Sequence, residues 1–283
     1  MKNNNYKNII LRTLIPVVLF VLIWNSKESS SNIDSGRQVK FVTVAYSNAA
    51  YSNDGIKWEK TGLPGRTLWN SVTYGNGKFA AVALGNDNAV YSNDGIKWQT
   101  TTMPKKDYWT SICYGNGKFV AVAMYSDKAA YSKDGIKWTE MTMPNTNRWQ
   151  SVCYGNDRFV AVSFNDESAY SEDGIEWKAA RLPSIAYWQS VCYGNGKFVV
   201  IANESHNSAY SDDGIKWKAS TLTDNTEWPN EMNWISVCYG NGKFIAITSG
   251  TSNRAVYSDD GIKWVEMRLP VASGWKSVCY SGD

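Results

Sequence analysis

The segment Tyr51-Ser52-Asn53-Asp54-Gly55-Ile56-Lys57-Trp58 decides the fold, because it recurs five more times with almost no change. Successive tryptophans of these octets lie 40, 40, 39, 40 and 47 residues apart. A fixed period near 40 residues is the signature of a repeat protein, so the structural unit is the repeat rather than the whole chain. The other five copies are Tyr91–Trp98, Tyr131–Trp138, Tyr170–Trp177, Tyr210–Trp217 and Tyr257–Trp264.

Each octet is predicted to form the turn of a β-hairpin. In the third copy, Asp134 tolerates turn conformations and accepts bonds from nearby backbone N–H groups, while Gly135 takes positive φ at little cost. The octet serine and aspartate are therefore predicted to be turn formers, and the octet tryptophan is predicted to pack between neighbouring sheets. A ring of carboxylates that binds cations is the alternative, but clusters of the D-x-D type are missing.

One full repeat, residues 109–148, contains four strand-like pieces. The first is Trp109–Tyr114, and Asn116-Gly117 then gives a strong hairpin signal before the apolar piece Phe119–Met124. The third piece ends at Ser132, and the fourth starts at Trp138. Four antiparallel strands in about 40 residues is the size of one propeller blade. A proline after the fourth piece is predicted to end the outer strand, at Pro64, Pro104, Pro144, Pro183 and Pro270.

The ends of the array complement each other. The array opens at Phe41–Ala45 with a second-strand piece, and it closes at Trp275–Tyr280 with a first-strand piece. We therefore predict an all-β, six-bladed β-propeller, closed by pairing of Val278-Cys279 with Val42–Val44, which removes two exposed edges. An open β-solenoid is the alternative, and it leaves both end pieces unpaired. Six strand-opening tryptophans support the count: Trp69, Trp109, Trp149, Trp188, Trp234 and Trp275.

The chain is predicted to have three regions: residues 1–24 as a signal peptide or signal-anchor, 25–36 as a polar linker, and 37–283 as the propeller. Basic residues precede the apolar run Leu14–Trp24, which has the length of a signal-peptide core and is short for a membrane span. A cleaved signal and an anchor formed by residues 9–24 both fit. In either case the positive flank stays in the cytoplasm, so the propeller is predicted to be extracytoplasmic.

Charge and cysteine usage exclude several functions. The net charge is +3, and residues 37–283 carry 25 basic and 24 acidic residues, so no nucleic-acid partner is expected. All five cysteines share one repeat position, in Ser-(Val/Ile)-Cys-Tyr, where the first copy has Thr73. This pattern predicts free, buried thiols rather than a disulfide framework, and C-x-x-C pairs that mark zinc sites are missing. No metal or cofactor is expected. The cysteines are Cys113, Cys153, Cys192, Cys238 and Cys279.

The octets resemble the Asp-box of BNR-type repeats, whose pattern is Ser-x-Asp-x-Gly-x-x-Trp. Ser92, Asp94, Gly95 and Trp98 match in order, although the Asp–Gly spacing is one residue shorter. The octet is thus a compact variant, similar to the Y-S-x-D-G-x-x-W form of bacterial surface and phage-tail propellers. The resemblance covers residues 41–280 and implies the propeller fold. It leaves the function open, because the family includes sialidases, lectin-like proteins and assembly factors.

Catalytic residues are not predicted. The family's sialidases carry an Arg-Ile-Pro element, but here Arg181-Leu-Pro183 and Arg268-Leu-Pro270 occupy the repeat position of Gly62-Leu-Pro64. The single histidine, His206, lies in a polar loop with no nucleophile beside it in the sequence. The chain is therefore predicted not to be an enzyme. A sialidase-like glycoside hydrolase with paired carboxylates is kept as an alternative, because separation in space is not visible in a sequence.

A ligand is predicted to bind where the repeats differ. The Gly-Asn-Gly and octet turns are nearly constant and share one face, whereas the loops on the opposite face vary, as in Gly65–Leu68 and its counterparts. Variable loops on a rigid scaffold are common recognition sites. The sequence thus predicts a binding propeller for carbohydrate or protein at the cell surface, or a scaffold for a partner protein. Candidate ligand-binding residues are Trp228, Tyr108, Tyr187, Arg148 and Glu231, with the strand-opening tryptophans serving either packing or binding.

Overall fold

The computed structural model describes residues 19–22, 41–53, 57–224, 232–250, 252–271 and 276–278. Every helix or strand in these ranges is a β-strand, which confirms the predicted all-β class. No helix with the length and hydropathy of a membrane span occurs within them. The first strands are β1 Leu19–Leu22, β2 Phe41–Ala45, β3 Asn48–Ser52, β4 Glu59–Gly62, β5 Leu68–Gly75, β6 Lys78–Leu84, β7 Asn86–Ser92, β8 Gln99–Gly115, β9 Lys118–Ser132 and β10 Thr139–Gly155.

The strands form four antiparallel sheets. The remaining strands are β11 Arg158–Ser163, β12 Glu167–Ser171, β13 Lys178–Arg181, β14 Tyr187–Gly194, β15 Lys197–Asn203, β16 Asn207–Ser211, β17 Lys218–Thr221, β18 Trp234–Gly240, β19 Lys243–Thr248, β20 Arg254–Ser258 and β21 Val265–Arg268. Three of the sheets have four strands, in the orders β1-β2-β3-β4, β14-β15-β16-β17 and β18-β19-β20-β21, and β5 to β13 form one nine-stranded sheet in sequence order.

The nine-stranded sheet arises because β8 and β10 continue from one repeat into the next. The prediction that proline ends the outer strand is wrong at Pro104 and Pro144, since both strands run through these residues. In β10 the pairing with β9 jumps from Thr142 to Asn147, a register irregularity that leaves Pro144 outside the ladder. A proline at an irregularity removes no ladder hydrogen bond, so strand geometry survives there.

The second strand of each repeat is buried on both faces. In β9, Phe119 to Ala123 have no solvent-exposed surface, and the equivalent residues of β11 and β15 are equally buried. The first strand pairs with the second in one register, as in Cys113 with Val120 and Cys153 with Val160. Neighbouring repeats therefore cover both sides of each second strand, as its continuous apolar sequence predicts.

Neighbouring repeats are joined by a tyrosine ring that lies directly on a glycine. A Cβ atom placed on Gly155 would lie 2.0 Å from the Tyr193 ring, so only glycine fits beneath it. The same pairs of repeats share a hydrogen bond in which a backbone N–H donates to a serine, as from Val191 to Ser151 Oγ at 3.3 Å. The equivalent glycine–tyrosine pairs are Gly75–Tyr114, Gly115–Tyr154 and Gly194–Tyr239.

The octet turn is built as predicted. In the third copy, Asp134 Oδ1 accepts hydrogen bonds from the backbone N–H groups of Ile136 and Lys137, each at 2.8 Å. Ser132 Oγ donates to the same carboxylate at 2.9 Å and accepts from Gly135 N at 2.9 Å. Five octet tryptophans pack partly buried against the core, as Trp138 does with its ring 6.4 Å from that of Phe119, whereas Trp58 is 38% exposed. The serine and aspartate are thus turn formers.

The cysteines are free thiols where the structure describes them, which confirms the prediction for Cys113, Cys153, Cys192 and Cys238. Desolvation by burial raises the pKa of the Cys113, Cys153 and Cys192 thiols. A raised thiol pKa keeps these groups protonated and unreactive at neutral pH. They therefore act as small packing residues, interchangeable with the threonine of the first repeat.

The ends of the array differ from the prediction. The open edge of β2 pairs with Leu19–Leu22, so that Val21 lies opposite Val42, and not with Val278-Cys279. One strand edge accepts one partner, so the predicted closure is wrong for this arrangement. The C-terminal segment still follows the repeat, because Val278 N donates to Ser236 Oγ at 3.2 Å, as Val237 N does to Ser190 Oγ. Cys279 lies outside the described residues.

The glycine–tyrosine contact gives a stability prediction. We expect Gly155→Ala to lower the free energy of unfolding by about 1–3 kcal/mol, because the added methyl group overpacks the contact with Tyr193. Gly62→Ala is the matched control, since a Cβ atom there meets nothing within 4 Å, and its effect is expected to stay within about 0.5 kcal/mol. Urea unfolding of both variants measures the difference, and equal effects would contradict the role of the contact.

The octet carboxylates give a pH prediction. Burial alone would raise their pKa, but two backbone N–H groups and the serine hydroxyl outweigh it and lower the pKa of Asp94, Asp134, Asp173, Asp213 and Asp260. In acid the unfolded chain therefore binds more protons than the folded chain. Stability should be fully present above the ordinary aspartate pKa of about 3.9 and should fall as the pH decreases below it.

Thermal unfolding between pH 6 and pH 2.5 measures this loss. Asp134→Asn should start from a lower melting temperature, because the amide is a weaker acceptor than the carboxylate for Ile136 and Lys137. The same variant should then lose less stability in acid than the unmodified protein, since one of the depressed groups is gone. An identical pH dependence in both proteins would rule out the octet carboxylates as its source.

Candidate ligand-binding face

The turns and loops separate onto two faces, as predicted. The Gly-Asn-Gly turn of one repeat bonds to the octet turn of the next, for example through Asn76 Nδ2, which donates to the Lys133 carbonyl at 3.2 Å. The variable loops bond to each other on the opposite face, where Phe164 N donates to the Arg148 carbonyl at 3.0 Å. The near-constant turns therefore hold the repeats together, and the variable loops form a separate surface, here called the loop face.

The strand-opening tryptophans are part of the core and not of the loop face. Trp109, Trp149, Trp188 and Trp234 have 0% exposed surface, and Trp69 has 1%. The hypothesis that these side chains bind ligand is wrong for the five described, because no ligand can reach them; Trp275 lies outside the described residues. Three of them anchor the loops, since their indole Nε1 atoms donate to the carbonyls of Lys105, Asn145 and Ser184.

Three predicted ligand-binding residues directly precede these tryptophans and lie on the loop face. The side chains of Tyr108 and Tyr187 are 48% and 43% exposed, and Arg148 is half-buried between them. The other two, Trp228 and Glu231, belong to the long fifth loop and lie outside the described residues. The structure thus brings together Tyr108, Arg148 and Tyr187, which come from three successive repeats.

Five side chains form one continuous row across the loop face, here called the aromatic row: Tyr108, Tyr125, Arg148, Phe164 and Tyr187. The Tyr108 and Tyr125 rings meet edge to face with centroids 6.1 Å apart. The Arg148 guanidinium carbon lies 5.2 Å from the centroid of Tyr125 and 3.8 Å from that of Phe164. The Phe164 and Tyr187 rings are stacked at 4.2 Å with an interplanar angle of 12°.

Arg148 is the cation at the centre of the row. Its guanidinium lies over the rings of Tyr125 and Phe164, at distances that give favourable cation–π contacts. No ion pair to Arg148 occurs among the residues that the structure describes, and its buried Nε has no hydrogen-bond partner there. A guanidinium stacked in this way offers hydrogen bonds only from its edge, which suits the carboxylate or hydroxyl groups of a ligand.

The sequence analysis did not predict Tyr125 and Phe164 as members of the ligand-binding face. Both stand six residues before an octet tyrosine, Tyr131 and Tyr170 respectively, so they share a repeat position although the loop lengths differ. That position alternates in space with the residue before each strand-opening tryptophan. Counting backwards from the octet, rather than forwards from the second strand, is the signal that would have found the row.

The aromatic row offers stacking surfaces and one cation, but no acid–base pair. His206 lies in a loop of a later repeat, where its carbonyl accepts a hydrogen bond from Leu222 N at 2.8 Å. In the described parts of the chain, no group of three or more His, Cys, Asp or Glu side chains could hold a metal ion. The arrangement is thus suited to binding a ligand through ring faces and charge.

Comparisons with known proteins agree on the fold. No protein-family model matches the chain, and no curated protein matches it. Virginiamycin B lyase from Staphylococcus aureus has a similar structure, with a TM-score of 0.73, 13% identity and coverage of 95% of this chain and 94% of that one. YCF48 bound to D1 peptide gives a TM-score of 0.62 at 17% identity, covering 81% and 77%.

A third similar structure is the β-propeller domain of Cps50 (Swd1) from Myceliophteria thermophila, with a TM-score of 0.65, 10% identity and coverage of 93% of each chain. All three neighbours are β-propellers, and all are far too different in sequence to carry a function across. What they show is the fold: this chain is an all-β protein with the architecture of a β-propeller.

Proposed function

We propose that this chain is a non-enzymatic binding propeller that acts outside the cytoplasm and recognises a carbohydrate or a protein at the cell surface. The observation that carries the proposal is the aromatic row, which joins three successive repeats across the loop face. Its end members Tyr108 and Tyr187 are nearly half exposed, and a contiguous exposed patch of aromatic side chains is typical of an interaction site.

The composition of the row suits recognition. Tyrosine and arginine are enriched among the residues that dominate binding energy at interfaces, and flat aromatic faces also stack against sugar rings. The loops are held in place by the indole hydrogen bonds of Trp109, Trp149 and Trp188. A surface that is already ordered loses little conformational entropy when a ligand binds, so most of the contact energy contributes to affinity.

A scaffold that holds a partner protein is the second candidate. One of the similar structures is described as YCF48 bound to D1 peptide, so a protein with this fold holds a peptide. The same aromatic row would serve such a role, because an exposed Tyr-Arg-Tyr sequence of side chains resembles a protein-binding hot spot. The glycoside hydrolase alternative has less support, since the row contains no carboxylate.

The proposal also includes six blades and export of the chain. It further includes closure of the ring by the C-terminal strand, once the N-terminal segment no longer pairs with β2. Cleavage or membrane insertion of residues 1–24 would remove β1 and free the edge of β2. The C-terminal segment is close to the position of a sixth first strand, because Val278 repeats the bond of Val237 to the preceding repeat. Its sequence Ser277-Val-Cys-Tyr280 then matches the first strands that pair elsewhere with a second strand.

Ligand binding gives the main test. Screening on a glycan array, together with a sugar-competed pull-down of cell-surface proteins, should detect a ligand for the purified chain. We expect Tyr187→Ala and Arg148→Gln each to weaken that binding at least about tenfold, because the first removes an exposed stacking ring and the second removes the cation of a preordered surface.

Val265→Ala is the control, since Val265 is an exposed apolar residue on the outer strand β21 and away from the row. Circular dichroism should show all three variants folded. Binding that persists in both row variants, or that is lost equally in the control, would refute the proposed role of the loop face.

Closure of the ring has its own test. Because each repeat cysteine lies opposite the residue after the second-strand phenylalanine, Val42→Cys should face Cys279 once residues 1–24 are removed. We expect a disulfide in this shortened variant under mild oxidation, seen as faster migration on a non-reducing gel. The same variant with Cys279→Ser should not shift. A chain that forms no such disulfide without residues 1–24 would count against closure by the C-terminal strand.

A further inference from the structure

The side chains of the aromatic row come alternately from two repeat positions, and one of these positions is a glycine in an earlier repeat. The residue six places before an octet tyrosine alternates in space with the residue that precedes a strand-opening tryptophan. Tyr125 thus contacts Tyr108 and Arg148, and Phe164 contacts Arg148 and Tyr187. In the repeat before that of Tyr125, the residue six places before the octet tyrosine is Gly85. The backbone reaches the same position there, but no side chain fills it.

The backbone at this position does not explain the glycine. Gly85 has φ of 75°, but Tyr125 and Glu204 hold the equivalent position with φ of 63° and 54°. The turn therefore accepts a side chain at this position in other repeats. Glycine at position 85 leaves empty the space that the side chain occupies in those repeats. A Cβ atom placed on Gly85 would lie 3.6 Å from Tyr108 Cε1, so the tyrosine ring stands directly beside an open, exposed backbone.

We propose that the gap over Gly85 is a sugar subsite that takes one neutral pyranose ring of a glycan. The ring stacks on the face of Tyr108, in the place that Tyr125 and Phe164 fill in the next two repeats. By the same alternation, the far wall is Leu68, which precedes Trp69 as Tyr108 precedes Trp109. This subsite rests on the proposed function, and it names the ligand class and the position that the loop face would use.

The polar groups around the gap favour hydroxyl donors. Asn86 follows Gly85, and its side chain is fixed by a bond from Nδ2 to Thr67 Oγ1 at 2.5 Å. Asp107 Oδ1 accepts from Tyr108 N at 2.8 Å, which leaves the second carboxylate oxygen for a ligand. Sugar hydroxyls can donate to these acceptors while the apolar face of the ring covers Tyr108.

The same rim disfavours two other occupants. A phenylalanine side chain of a protein partner would cover Tyr108 but would offer no donor to the Asp107 carboxylate, which would be desolvated without compensation. A carboxylate-bearing sugar would bring like charge beside Asp107, which disfavours it. A neutral pyranose satisfies both the stacking face and the acceptors, so it is the occupant that the site selects.

The test fills the gap with the side chain found in the next repeat. Full-length protein carrying Gly85→Tyr, Tyr108→Ala or the control Val265→Tyr, at an exposed position away from the row, is titrated calorimetrically with a panel of neutral and uronic-acid oligosaccharides. We expect the unmodified protein and Val265→Tyr to bind a neutral oligosaccharide alike. Gly85→Tyr and Tyr108→Ala should each weaken that binding at least about tenfold, while thermal unfolding shows Gly85→Tyr to be folded.

The outcomes separate this subsite from the broader function. Neutral-sugar binding that survives Gly85→Tyr but is lost in Tyr187→Ala would overturn the subsite and leave the loop face as the binding surface. A panel in which only uronic-acid sugars bind, or in which no sugar binds and a protein partner does, would overturn the assignment of a neutral pyranose. Loss of binding in Val265→Tyr to the same extent as in Gly85→Tyr would also overturn it, because that change does not touch the gap.

Discussion

The contact on which the array depends is a tyrosine ring lying on the backbone of a glycine in the preceding repeat. A Cβ atom on any of the four glycines involved would lie about 2 Å from a ring carbon, so the two backbones approach as closely as an aromatic ring permits. This contact fixes both the distance and the rotation between repeats. Because it recurs at every described junction between the first strands, one local geometry propagates around the array.

The two faces of the array differ in what they contribute to these junctions. Serine hydroxyls accept backbone N–H groups of the next repeat. The asparagines of four turns between the first and second strands donate to the octet turn of the next repeat: Asn76, Asn116, Asn156 and Asn195. These bonds require particular residues, which explains why both turns barely vary among the copies. On the loop face, the constraint from the fold comes from the buried tryptophans that anchor the loops. Its exposed side chains can therefore differ between repeats, as is common at recognition sites.

Sequence reasoning succeeded where a residue acts inside its own repeat. The octet turn, the buried second strand and the shared cysteine position follow from local chemistry, and Ser132, Asp134 and Cys113 behave as predicted. Sequence reasoning failed where two segments of the chain can pair with the same strand edge, or where contacts are made between repeats. The partner of Phe41–Ala45 was misassigned because two apolar segments can occupy one edge. Tyr125 and Phe164 were missed because their importance lies in contacts with other repeats, which periodicity alone does not display.

The aromatic row shows how a repeat protein acquires an asymmetric site. Its members occupy two repeat positions that hold Gly85, Tyr125, Phe164 and Glu204 in one case and Leu68, Tyr108, Arg148 and Tyr187 in the other. Because the scaffold places these positions in alternation, each substitution changes two contacts, one on either side. A single charged residue therefore creates a stacked cation, and a single glycine creates a gap. Under the proposed function, a few such departures from the repeat are what would let a symmetric scaffold recognise one ligand.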